Sequence, residues 1–340
     1  MRVLLRALVV ITLPLYFAVS AAMADPLKIG FVYVGPTGDH GWTYMHDIGR
    51  QEIEKEFGNK VETMYVESVA YGPDSERVMT QMAMNGVDMI FTTSFGYMDP
   101  TLNVAKKFPN VKFEHATGYK TSKNMSVYSS KFYEGRYVQG VIAGHMSKKG
   151  KAGYIASFPI PEVIRGINAF YLGATSVNPD FDIDVVWVNT WYDPSKEADA
   201  AKVLINQGSD IITQHTDSPA ALQVAQEAGV KAFGQASDMI KFAPDTQLTA
   251  ILDLWGPYYI ERVRAVLDGT WEESDTWGGM DTGMVAMAPY TNMPDEIKEI
   301  AMAVEKDILE GKLNIFPGKS IGDLLGMNKY VDGIDAFLPE

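Results

Sequence analysis

The sequence predicts an α/β fold of two similar lobes built on parallel sheets, and three observations predict it. From Lys28 onward, short apolar β-rich runs alternate with amphipathic stretches, the pattern of strands covered on both faces by helices. Ten such runs are too many for one compact sheet of ordinary size. The segment KAGYIAS at 151–157 also restarts the pattern of KIGFVYV at 28–34. A length of 340 residues, set against roughly 150 residues per domain, agrees with two lobes.

In chain order, residues 1–24 read as a secretory signal peptide. Arg2 and Arg6 precede an apolar run from Ala7 to Ala22 broken by Pro14, and Ala22 and Ala24 mark a small-residue cleavage site before Asp25. The run is too short for a good membrane span. The sequence has no Cys, which leaves neither a lipidation site nor disulfide or thiolate chemistry. The mature chain is therefore expected in a periplasm-like space, not lipid-anchored. Without Arg2 and Arg6, 27 basic residues stand against 43 acidic ones, and the formal charge moves from −14 to −16. Such a surface repels nucleic acid and anionic membrane.

Strands are expected at 28–34, 61–67, 87–93, 111–116, 124–129, 151–157, 183–190, 209–214, 231–235 and 247–253. Helices are expected near 42–57, 74–85, 100–107, 132–147, 161–177, 195–207, 218–228 and 256–268. The helix at 256–268 and a strand-like segment at 282–287 follow the last strand of the second lobe, so the chain is expected to cross between lobes several times. The first lobe is drawn at 25–129 plus about 254–283, and the second at 130–253 plus about 284–340. An acidic-apolar helix from about Asp295 to Leu309 stops at Gly311, and the remaining tail reads as a packed strap.

Ligands of open α/β sheets bind beyond the carboxyl ends of the strands. Those positions are unusually aromatic: Asp39 and Trp42 follow the first strand, and Phe95 and Tyr97 the third. In the second lobe they are Phe158, then Trp191, then His215 and Asp217, then Gln235 and Asp238. Aromatic rings with a few carboxylates and amides across a cleft suit a flat, polar-edged ring system. The plainer alternatives are a helix-start staple for Trp42, a core ring for Phe95, and helix caps for Asp39 and Asp217. Trp271 and Trp277 sit in an acidic loop and receive no role. The five histidines match no metal spacing, and no dinucleotide, phosphate-loop or nucleophile-elbow motif occurs. No cofactor is expected.

Several segments in order resemble the basic membrane protein family of ABC-transporter substrate-binding proteins, which includes purine nucleoside receptors. They are GDHGW at 38–42, TTSFGY at 92–97, YEGRYVQGVIAG at 133–144, IPEVIRGINAFYLGA at 160–174, WYDPSKE at 191–197, QGSD at 207–210 and SD at 237–238. The resemblance implies a type I periplasmic-binding-protein fold with two Rossmann-like lobes. It also implies no catalysis, action as a monomer, and delivery of a purine base or nucleoside to an ABC permease in the inner membrane. It assigns Asp39 to the base edge, Trp42 to stacking on the purine, and Asp238 to ribose hydroxyls. Two departures bear on the ribose: His215-Thr216-Asp217-Ser218 replaces a Gly-rich turn, and Asp253 stands where the family has a lysine. They set a free base such as adenine beside a nucleoside as the expected ligand. Two alternatives stay open: an exported nucleoside hydrolase using Asp39 and Asp238, although its calcium-binding aspartate cluster is missing, and a sugar receptor of the same fold.

Overall fold

The computed structural model describes residues 25–339; the expected signal peptide lies outside the described residues. The strands are β1 (Leu27–Val32), β2 (Val61–Val66), β3 (Met89–Thr92), β4 (Lys112–Ala116), β5 (Met125–Ser130), β6 (Lys151–Ala156), β7 (Asp182–Trp187), β8 (Ile211–Gln214), β9 (Lys231–Gly234), β10 (Gln247–Asp253), β11 (Asp275–Gly278) and β12 (Val285–Met287). The helices are α1 (Gly41–Phe57), α2 (Pro73–Met84), α3 (Met98–Lys107), α4 (Tyr133–Met146), α5 (Pro161–Val177), α6 (Pro194–Asn206), α7 (Ala220–Ala228), α8 (Gly256–Leu267), α9 (Asp295–Leu309) and α10 (Ile321–Leu325). Proline opens α2, α5 and α6, where its missing N–H costs nothing, and Gly229 ends α7 in the left-handed region.

Two six-stranded sheets result. The first runs β11-β5-β4-β3-β1-β2 and is parallel throughout; the second runs β12-β10-β9-β8-β6-β7, with β12 antiparallel to β10. The central strands are apolar on both faces, as sheets covered by helices require: β3 is buried at every position, and β1 at its last four. All ten expected strands form. The return to the first sheet, however, is made by β11, in a stretch read above as loop, whereas the 282–287 segment supplies β12 of the second sheet. The chain crosses between sheets after β5, after β10 and after β11.

Beside the first sheet lies a buried ionic group that also uses that acidic loop. Glu114 on β4 is fully buried and accepts hydrogen bonds from Arg262 Nε (2.7 Å), Tyr258 (2.7 Å) and Trp271 Nε1 (2.7 Å). Arg262 also donates to Ser126 Oγ and to the carbonyl of Glu272. Trp271 thus fastens the loop leading to β11. Burial still pushes the Glu114 carboxyl up, against the pull of Arg262.

Candidate functional site

In each sheet the strand order reverses beside its first strand, between β1 and β3 and between β6 and β8. Loops leaving neighbouring strands on either side of such a point diverge and open a crevice. The two crevices face each other across a small cavity. The first lobe supplies Val34, Trp42, Ser94, Phe95 and Thr117, and the second supplies Glu162, Trp191, His215, Asp217 and Gln235.

The aromatic walls are held from behind. Trp42 Nε1 donates to the carbonyl of Thr93 (2.7 Å), and its ring packs edge-on against Trp255 and His46. Trp191 packs on Phe158 with centroids 5.2 Å apart, and its Nε1 donates to the Tyr71 hydroxyl of the opposite lobe (2.7 Å). That hydroxyl also bonds Ser94 Oγ (2.7 Å). Two non-glycine residues at the cleft, Thr117 (φ 62°) and Ala236 (φ 58°), hold left-handed backbone at strand ends, a strain that usually marks a functional constraint.

The polar floor rests on Arg136, a fully buried arginine of α4. It donates to Gln139 Oε1, Thr213 Oγ1, the Gln214 carbonyl and Gln235 Oε1, tying together the ends of β8 and β9. With its oxygen occupied by Arg136, the Gln235 amide keeps its NH₂ as donor. Glu162 has no hydrogen-bond partner among the described residues; His215 Nε2 lies 3.7 Å from its Oε1. Burial pushes Glu162 up to about 7 and Asp253, behind the floor, up to about 7. Asp217 is pushed up to about 8 by burial, with Glu197, Asp253 and Glu162 adding repulsion. Burial drives the His215 imidazole well below its ordinary range, so it is neutral.

The N-terminus of α1 reaches across the cleft. His40, at its N-cap, gives no side-chain cap. The orphan N–H groups are satisfied by the other lobe: Gly41 N–H donates to Ser237 Oγ (2.7 Å) and Trp42 N–H to Asp217 Oδ1 (3.1 Å). Asp217 does cap a helix, but one belonging to the opposite lobe. Gly41 is required here, with φ at 81° and a Cβ that would stand 2.9 Å from the Asp217 carbonyl oxygen. Asp39 pairs with Lys241 across the same seam.

Of the residues singled out in the sequence, Trp42, Phe95, Trp191, His215, Asp217 and Gln235 line the cavity, and Phe158 backs Trp191. Three do not. Tyr97 is fully buried and donates to the Val69 carbonyl (2.6 Å), because a tight helical turn at 95–97 sends it away from Phe95. Asp39 is exposed and held by Lys241 and His40. Asp238 is exposed and accepts from Ile240 N–H (3.0 Å) and Gln247 Nε2 (2.7 Å), which turns it to its own loop. Ser94, Thr117, Val34 and Glu162 were not singled out. The strand-end rule applied after β4 would have found Thr117. Glu162 sits in the first turn of α5, where an acidic residue reads as a partner of the helix dipole.

Residues 27–318 match the family model of PnrA-like ABC transporter substrate-binding proteins, named Bmp. The chain belongs to the Bmp family. A purine-binding protein of Brucella abortus is 61% identical to this Bmp protein over 337 residues, covering 94% of this chain and 96% of that one. A putative ABC transporter glucose-binding protein of Haloferax volcanii is 39% identical over 322 residues, covering 93% and 82%. Among solved structures, an ABC transporter solute-binding protein from Aeropyrum pernix K1 aligns with a TM-score of 0.76 over 88% of this chain and 95% of that one. At 16% identity it speaks for the fold alone. The fold and family expected from the sequence are both borne out. Among the described residues no helix is long and apolar enough to cross a membrane.

Proposed function

We propose that this Bmp protein captures a purine base, adenine-like at its reading edge, between its two lobes and hands it to an ABC permease. The observation that carries this reading is an unpaired carboxyl, Glu162, facing an aromatic-walled cavity beside Asp217, with both held near or above neutrality by burial. A protonated carboxyl offers a donor and an acceptor side by side. Adenine presents the complement, an exocyclic N–H beside a ring nitrogen acceptor, on both its N1 and N7 edges, whereas on the N7 edge of guanine O6 and N7 are both acceptors and only its N1–H/O6 edge can pair. Trp42, Phe95 and Trp191 supply apolar faces for the ring. The Brucella relative is named for purine binding, which supports the same class.

In this reading the chain is exported through residues 1–24, is not lipid-anchored, works as a monomer and does no chemistry on its ligand. The lobes are 25–129 with about 254–283, and 130–253 with about 284–340, closing about the three crossings. The hydrolase alternative loses its acid and base, since Asp39 and Asp238 are both exposed and engaged away from the cavity.

Calorimetry at pH 7 with adenine, guanine, hypoxanthine, adenosine and glucose tests the proposal. Adenine should bind tightest, and adenosine should be recovered intact after incubation. Binding of glucose with no response to any purine would overturn it.

A further inference from the structure

A second, wider and more open cavity adjoins the first and shares Phe95, Thr117 and Glu162 with it. Its own walls are mainly apolar: Tyr119 from the loop after β4, Ile160 and Pro161 at the start of α5, and Leu325 at the end of α10. Tyr119 is 63% exposed and Leu325 40% exposed, so among the described residues both leave apolar surface open at this cavity. The one cation in the wall, Arg165, is already engaged. It donates to the Leu324 carbonyl (2.6 Å), and its guanidinium lies over the rings of Trp277 (5.0 Å) and Tyr133 (5.6 Å).

The wall containing Leu325 is firmly placed. Besides the Arg165 bond, Asn168 donates to the Lys329 carbonyl and accepts from Val331 N–H, so the tail is bonded to α5 on both sides of its turn. This wall lies beyond residue 318, where the match to the family model ends. Glu162 stands at the junction, so a ligand edge read by that carboxyl points toward the annex. A secondary amine at that edge keeps one N–H for the carboxyl while carrying a substituent past it.

We propose that the annex holds an alkyl or aryl substituent on the purine, so that the protein takes edge-substituted purines as well as the bare base. The inference rests on the purine reading of the first cavity. Ribose is the poorer occupant: beyond the shared residues, Ser129 is the only hydroxyl the annex offers besides the distal phenol of Tyr119.

The test measures adenine and N6-benzyladenine against the parent protein and against Leu325→Trp, which fills the annex from the tail. N6-benzyladenine should bind the parent at least as tightly as adenine. Leu325→Trp should weaken it roughly tenfold or more, since a buried aryl contact is lost, while adenine moves by less than about threefold. If a thermal melt shows that Leu325→Trp loosens the tail, Ile160→Trp fills the same space from the opposite wall. Weaker binding of N6-benzyladenine than of adenine by the parent overturns the inference, as does equal loss of both ligands, or of neither, in the filled variant. Failure of the purine reading looks different, because the parent then binds neither compound.

Discussion

Gly41→Ala should abolish most ligand affinity without touching the ligand. Gly41 has φ at 81°, and a Cβ there would stand 2.9 Å from the Asp217 carbonyl oxygen and 3.0 Å from its Cβ, both across the cleft. Gly38 is a built-in control: its φ is 48°, and nothing lies within 4 Å of its would-be Cβ. Both alanines lose roughly 1 kcal/mol of fold stability to left-handed backbone, a cost that is the same in open and closed protein and cancels in binding. Only Gly41→Ala meets the other lobe on closure. Relief of that clash separates Gly41 N–H from Ser237 Oγ and Trp42 N–H from Asp217 Oδ1, two hydrogen bonds contributing about 0.5–1.5 kcal/mol each. The loss of about 1–3 kcal/mol corresponds to roughly 5–150-fold in Kd. Calorimetry with adenine gives the affinity, and small-angle scattering shows whether ligand still reduces the radius of gyration. The reasoning is refuted if Gly41→Ala binds within about threefold of the parent, or if Gly38→Ala loses as much.

Trp42→Ala should weaken every purine by about 1–3 kcal/mol with little change of ranking, because stacking does not read the base; calorimetry across several purines checks both points. In this structure burial pushes Asp217 up to about 8, and opening of the lobes to water should return it to an ordinary carboxylate. Raised in the closed form, it favours closure at low pH, and this contribution is lost as pH rises toward 8, by up to about tenfold in affinity per unit. Adenine binding at pH 7 should therefore take up protons, read from calorimetry in buffers of different ionisation enthalpy, and Asp217→Asn should reduce that uptake, leaving the part contributed by Glu162 and Asp253. Arg262→Leu leaves Glu114 buried without its cation and should cost about 3–5 kcal/mol, lowering Tm by roughly 10 °C, while purine affinity at 25 °C stays that of the parent.

The fold was legible because periodicity is local. Apolar runs such as β3 and the amphipathic faces between them are written in neighbouring residues, and the repeat at Lys151 reveals the second lobe. β11 was not legible, since DTWG is short, opens with an acidic residue and becomes a strand only because the edge of β5 is there to receive it. The cleft was partly legible for the same reason: strand ends identify loops, which found Trp42, Phe95, Trp191, His215, Asp217 and Gln235. Direction within a loop is set by the turn. Phe95 and Tyr97 lie two residues apart, and one meets the cavity while the other is sealed in the core. Glu162 faces the cleft because of how α5 packs beside His215, and the capping of α1 by Asp217 depends on what the opposite lobe presents; neither is recorded in neighbouring residues.

The place of β11 in the first sheet governs the order in which this protein can be built. β5 borders β4 on one side, and its other edge stays open until residues 275–278 arrive, after β6 to β10 of the second sheet and the helices between them have been made. The second sheet likewise waits for β12 to close against β10. A nascent chain therefore carries two unfinished sheets almost to its end, with edges that would pair readily with other chains. Under the export proposed above, this late completion is an advantage: each sheet keeps one edge open until nearly the whole chain is available.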